Sequence, residues 1–191
     1  MLIALVLLYI SILVWCRRKR HRGRVAIVLG SGGHTAEMLR MLESSGKDHS
    51  EFTFWVSEGD KLSLQKLESK CSVILVPRPR KVGQSVVSST IRLPRCIFVV
   101  VLSLLRHWPS KIICNGPGLC FIIALFAKLI RLLVFGSLPK VGIVYIESVA
   151  RVHTLSLTGK LMKHLADRFI VQWPELLLLL PPGGAECRLL V

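Results

Sequence analysis

Val25-Ala26-Ile27-Val28-Leu29-Gly30-Ser31-Gly32-Gly33-His34-Thr35-Ala36-Glu37-Met38-Leu39 reads as a buried strand, a glycine-rich turn and the opening of a helix. Glycines let a backbone approach a ligand closely, and the free N–H groups of a helix start attract anions. His34 and Thr35 add side-chain donors at that mouth, so the stretch suits phosphate. Gly30-x-Gly32-Gly33-His34 lacks the last glycine of the dinucleotide pattern G-x-G-x-x-G, and no Gly-Lys-Ser/Thr follows as a P-loop requires. A strand-to-helix turn capped by His or Thr, with no ligand, fits the same residues.

Downstream, apolar runs of strand length alternate with helix-length segments. After Val25–Gly30 comes a helix from Thr35 to about Ser44, with Met38, Leu39, Met41 and Leu42 on one side. Further strands are expected at Phe52–Ser57, Ser72–Val76, Lys111–Asn115, Val141–Tyr145 and Phe169–Gln172. Continuously apolar strands separated by helices indicate a parallel sheet covered on both faces. The expected fold is therefore α/β, a Rossmann-like doubly wound domain that binds ligands at the carboxyl ends of its strands. Two intervening segments, Ile91 to Leu105 and Leu119 to Phe135, are apolar enough to be buried helices or helices lying in a bilayer interface. In the second case Arg92, Arg95, Arg106, Lys128 and Arg131 would sit among headgroups.

Upstream, residues 1–16 are almost wholly apolar and are followed at once by Arg17-Arg18-Lys19-Arg20-His21-Arg22-Gly23-Arg24. This predicts a membrane anchor, 1–16, and a basic juxtamembrane segment, 17–24. The anchor is shorter than the ~20 residues that cross a hydrocarbon core, so it spans a thin membrane, is helped by snorkelling arginines, or lies shallow. The charge follows the apolar run and no small-x-small cleavage site appears, which argues against a secretory signal. The positive-inside rule places the rest of the chain in the cytosol.

The bulk composition agrees. In 191 residues there is room for one domain and not for a second full one. Twenty-six Lys and Arg against eleven Asp and Glu give a net charge of +15, favouring anionic partners. With 52% hydrophobic residues and a mean hydropathy of +0.57, membrane lipid is expected and nucleic acid is not. The six cysteines form no C-x-x-C pair, so no metal is indicated, and most lie in apolar runs as free thiols of a reducing compartment.

Other loops carry candidate chemistry. Cys114-Asn115-Gly116-Pro117-Gly118 is a second glycine turn opening onto a helix, with Pro117 at a plausible first helical position. Two such turns beside one crevice suit an extended anion such as a diphosphate. Glu147-Ser148 ends the fifth strand; its carboxylate stands where catalytic or sugar-binding groups are expected, and an N-capping or salt-bridged acid would look the same. Pro77-Arg78-Pro79-Arg80-Lys81 is a proline-stiffened basic loop that would grip phosphate or simply be solvated.

Taken in order, these residues resemble a known family. Gly30–Leu39, Asp60-Lys61-Leu62-Ser63, Pro77–Ser85, Cys114–Gly118, Tyr145-Ile146-Glu147-Ser148, Arg151-Val152, Leu155-Ser156 and Val171-Gln172-Trp173-Pro174 are similar to the membrane-anchor subunits of the endoplasmic-reticulum UDP-N-acetylglucosamine transferase. The match runs from about Val25 to Pro174. It implies the acceptor-side half of a split glycosyltransferase-B enzyme that adds the second GlcNAc to dolichyl-diphosphate-GlcNAc. It also implies a soluble catalytic partner that supplies the UDP-GlcNAc-binding half, a chain inactive alone and without cofactor, and a single-pass place in the endoplasmic-reticulum membrane with the domain on the cytosolic face. By resemblance the acceptor diphosphate is held by Gly32, Gly33, His34, Thr35, Asn115, Gly116 and Gly118, with Arg78 and Arg80 in support. His34 is the candidate base for the acceptor 4-hydroxyl, with Glu147 a second acceptor-site candidate.

Two departures stand out. After Trp173-Pro174 the family continues through a polar helix and a Tyr-Pro element into a partner-docking tail, whereas here Leu176–Leu180 and Pro181-Pro182 replace most of that before an apolar end, leaving residues 175–191 as a divergent tail. Ser110 and His153 stand where acids are common. The competing readings are a stand-alone phosphate- or nucleotide-binding transferase, or a scaffold that has lost its site.

Overall fold

The structure, a computed structural model, describes residues 24–30, 32–67, 70–79, 86–134, 138–181 and 183–190, with the backbone alone for 86–91. The expected anchor, the basic segment up to residue 23, and Arg80 lie outside the described residues. No helix among the described residues is long and apolar enough to cross a membrane.

Seven parallel strands form one sheet in the order β3-β2-β1-β4-β5-β6-β7. They are β1 Val25–Val28, β2 Phe52–Ser57, β3 Ser72–Val76, β4 Lys111–Asn115, β5 Gly142–Ile146, β6 Arg168–Val171 and β7 Ala185–Cys187. The helices are α1 Gly33–Ser44, α2 Lys61–Gln65, α3 Val86–Arg106, α4 Gly118–Leu133 and α5 Leu157–Met162. The α/β, Rossmann-like sheet expected from the apolar runs is present.

Side-chain alternation along β1 divides the core. Ala26 and Val28 enter a large cluster with Cys96, Val100 and Leu104 of α3 and Leu119, Ile123 and Ala127 of α4. Ile27 and Leu29 enter a smaller one with Met38, Leu39 and Leu42 of α1 and Phe52, Phe54 and Val56 of β2. A strand buried on both faces has no polar alternation, which is why β1 reads as an unbroken apolar run. The two greasy segments are core helices by their inner faces, and both leave apolar side chains outside: Leu93 and Phe98 on α3, Leu129, Leu132 and Leu133 on α4. Helix α3 begins earlier than its apolar run and continues through Pro94. Pro94 is exposed, and the buried Cys96, Val100 and Leu104 hold the helix in place despite the lost N–H.

Strand order reverses between β1 and β4. Val25 to Val28 pair with Phe52 to Trp55 on one side and with Lys111 to Cys114 on the other. A doubly wound sheet opens its crevice at that switch point, and the two glycine turns leave the sheet from these two strands.

The chain after Trp173-Pro174 differs from a plain low-complexity tail. Pro174–Leu179 is a 3-10 turn with Leu176 fully buried, and Ala185–Cys187 joins the sheet edge through Phe169↔Ala185, Ile170↔Glu186 and Val171↔Cys187. No apolar run marks β7, whose three residues are half-buried at an edge.

Candidate functional site

At the carboxyl edge of β1 the chain turns through Gly32, with φ +71°, and enters α1 at Gly33. At the edge of β4 it turns through Gly116, with φ +79°, and enters α4 at Gly118. Among the described residues no side chain caps α1 or α4, whose N-cap positions are Gly32 and Pro117. Other helix starts are treated differently: Asp60 caps α2 at the Ser63 N–H, and Ser156 caps α5 at the Gly159 N–H. An α-helix start leaves four N–H groups without intrahelical partners, and an anion satisfies them. The two uncapped starts belong to adjacent strands about 4.8 Å apart, a spacing that suits two linked phosphates.

His34 and Asn115 join the two turns. His34 Nδ1 lies 2.9 Å from Asn115 Oδ1, with Asn115 fully buried and the imidazole side chain 38% exposed at the mouth. The ring rests on the bare face of Gly116, where a Cβ would stand 2.3 Å from Cε1 and 2.7 Å from Nε2. Gly116 is thus required twice, by its positive φ and by the ring lying on it.

Glu37 is the residue that sequence reasoning missed. It lies one turn into α1 beneath His34. Its Oε2 accepts from Asn115 Nδ2 at 2.9 Å, its Oε1 accepts from Ser148 Oγ at 2.8 Å, and Oε2 is 3.9 Å from His34 Nδ1. One carboxylate therefore ties the ends of β4 and β5 to α1. The i,i+3 spacing of His34 and Glu37 was the available signal, since residues three apart share a helix face.

Thr35 departs from expectation. It is buried, and its hydroxyl donates to the Gly30 carbonyl while lying 2.6 Å from Ser63 Oγ. Ser63 in turn donates to Asp60 Oδ2 at 2.7 Å. The Thr35 side chain fastens the glycine turn to α2 from behind and offers no donor at the mouth. Its place on the inner face of an amphipathic helix is the physical reason.

Glu147 is likewise turned inward. Its side chain is fully buried, Oε1 accepts from the Ser148 N–H at 3.2 Å, and Oε2 accepts from the Ser156 N–H and hydroxyl, both at 3.1 Å. A Cβ on Gly159 would stand 2.1 Å from Oε2, so α5 packs directly on the carboxylate. With the Ser156 proton given to Glu147, Tyr145 Oη donates to Ser156 Oγ at 3.2 Å. Burial first, and then the Glu147 charge, push the Tyr145 hydroxyl well above the ordinary tyrosine range, so it stays a donor. Glu147 pins residues 148–156 and the start of α5.

Arg78 is half-buried at the carboxyl end of β3, two strands from β1, roughly 10 Å by strand spacing. It is not brought into the His34–Asn115–Glu37 cluster. A cavity of about 390 Å³ lined by Lys128, Arg131, Lys140 and Asp167 lies at the opposite, amino-terminal edge of the sheet and takes no part in this cluster.

Comparison with known proteins follows the same outline. A family model described as "Oligosaccharide biosynthesis protein Alg14 like" matches residues 25–180. The chain is 39% identical over 169 residues to the UDP-N-acetylglucosamine transferase subunit ALG14 of Mus musculus, covering 80% of this chain and 76% of that protein. It is 40% identical over 171 residues to the subunit of the same name from Yarrowia lipolytica, covering 84% and 78%. The Homo sapiens subunit is 36% identical over 167 residues, covering 80% and 76%. Among solved structures, MurG of Acinetobacter baumannii superposes with a TM-score of 0.60 at 12% identity, over 86% of this chain and 44% of MurG. That likeness is one of fold, and the chain spans less than half of the MurG chain.

Proposed function

The chain belongs to the Alg14 family, and from that premise we propose that it is the acceptor-binding, membrane-anchoring subunit of a UDP-GlcNAc transferase. The reaction is addition of the second GlcNAc to dolichyl-diphosphate-GlcNAc in N-glycan precursor synthesis. A soluble catalytic partner brings the UDP-GlcNAc site, and this chain recruits it to the cytosolic face of the endoplasmic reticulum. Residues 1–16 and the basic run after them support the anchoring.

The observation that carries the reading is the pair of uncapped helix starts at the switch point, with His34 of one turn bonded to Asn115 of the other. The diphosphate is assigned to the N–H groups of Gly33 and its successors and of Gly118 and its successors, with Gly32 and Gly116 bending the backbone out of its way. The His34 imidazole then stands beside the phosphates, where it takes the proton of the acceptor 4-hydroxyl as that oxygen attacks the donor sugar. Glu147 serves by holding residues 148–156 in position, and Arg78 supplies long-range positive charge.

Reconstitution tests this. Chain alone, partner alone and both together are supplied with UDP-GlcNAc and dolichyl-diphosphate-GlcNAc in lipid vesicles. Transfer is expected with both only. Transfer by the chain alone would make it a complete enzyme, and unchanged transfer after His34→Ala would make it a scaffold with a disused site.

A further inference from the structure

We infer that Glu37 fixes the tautomer of His34 through Asn115, and so decides whether the ring nitrogen facing the acceptor hydroxyl carries a lone pair or a proton. This rests on the reading of His34 as the base and adds a positioning residue to it.

The argument is one of donors and acceptors. A carboxylate only accepts hydrogen bonds. Glu37 takes the Ser148 hydroxyl proton at Oε1 and an Asn115 amide proton at Oε2, 2.8 and 2.9 Å away. The Asn115 amide therefore cannot turn over, because turning would set its oxygen against Oε2. Held this way, Asn115 directs Oδ1 at His34 Nδ1, 2.9 Å off. An amide oxygen only accepts, so Nδ1 must carry the proton. A neutral imidazole has one N–H; Nε2 is left with its lone pair and is the nitrogen able to receive a proton.

Proton and electron accounting then closes. The acceptor O4 forms a bond to C1 of the UDP-sugar as the C1–O bond to phosphate breaks, and the bonding pair leaves with UDP. The O4 proton passes to Nε2. The imidazolium so formed keeps Nδ1–H on Asn115, with Glu37 Oε2 3.9 Å from Nδ1 to offset its charge. Without Glu37 the Asn115 amide is free to present its NH2 to Nδ1, which puts the ring proton on Nε2 and leaves no lone pair facing the hydroxyl.

The test uses the full chain, labelled with 15N-histidine, in lipid nanodiscs with its catalytic partner. Ring-nitrogen shifts report the tautomer, and the signal lost in His34→Gln identifies His34. Wild type is expected to be protonated at Nδ1. In Glu37→Leu most of the His34 population moves to the Nε2–H form, and kcat falls about 100-fold while the acceptor KM stays within about threefold, as for a base held in its wrong tautomer. Glu37→Gln keeps the side-chain shape and is the second variant if Glu37→Leu fails to assemble. It gives a mixture of tautomers and an intermediate kcat. Nε2–H in wild type, or retained Nδ1–H and rate in the Glu37 variants, overturns the inference even where His34→Gln abolishes transfer. A shifted tautomer with undiminished kcat leaves the Glu37–Asn115–His34 coupling standing and overturns the general-base reading instead.

Discussion

His34, Asn115 and Gly116 set the residue scale of the account. Alanine at His34 is expected to cost about 100-fold or more in transfer by the assembled complex, the usual worth of a positioned base, with partner binding intact. Gly116→Ala places a methyl inside the imidazole, 2.3 Å from Cε1, and strains the positive φ. Displacing the ring by an ångström is expected to lower kcat by about 100-fold, measured in the same assay. Thr35→Val acts differently: it removes the hydroxyl that donates to the Gly30 carbonyl and lies beside Ser63 Oγ, so thermal or denaturant melting should report a loss of about 1 kcal/mol. The glycines, His34 and Asn115 were legible in the sequence because strand–turn–helix motifs place such residues at a strand's carboxyl end. Glu37, and the inward turn of Thr35 and Glu147, were not. Each depends on which way a side chain points across the crevice, and periodicity along one element does not encode that.

Two kinds of helix start define the scale of the elements. Helices α1 and α4 start behind Gly32 and Pro117, which offer no capping side chain, whereas α5 is fixed by Ser156 on the buried Glu147. Gly159 is the contact point, so Gly159→Ala should destabilise by about 1–3 kcal/mol as an overpacked core site. The exposed neighbour Lys160→Ala should stay within about 0.5 kcal/mol, both read by denaturant melts. On α3, burial and then the nearby Glu58 charge push the Cys96 thiol from 9.0 up to about 11. A thiol raised in the folded state contributes fully below its unfolded value and loses that contribution as pH rises from 9 toward 11. Replacing it with Cys96→Ala should flatten the decline of melting temperature over that window. Apolar runs marked six strands and the long helices, while α2, α5 and β7 escaped because two short half-polar helices and three edge residues make no periodic pattern. The early start of α3 escaped for a related reason: Val86-Val87-Ser88-Ser89-Thr90 are β-branched and hydroxyl residues of low helix propensity.

At the scale of the whole molecule, a parallel sheet with its switch point between β1 and β4 holds a crevice lined by one domain. The family resemblance implied half of a two-domain transferase fold, and MurG is matched in fold over 44% of its length. Chemistry divides accordingly in our account: this chain holds the lipid diphosphate and the base, and the partner holds the nucleotide sugar. Calorimetric titration of a short-chain polyprenyl-diphosphate-GlcNAc into the chain without its partner is the most direct check. The account predicts saturable binding that weakens at least tenfold in Gly116→Ala, with no binding of UDP-GlcNAc. Undiminished acceptor binding in that variant, or binding of UDP-GlcNAc by the chain alone, would contradict it.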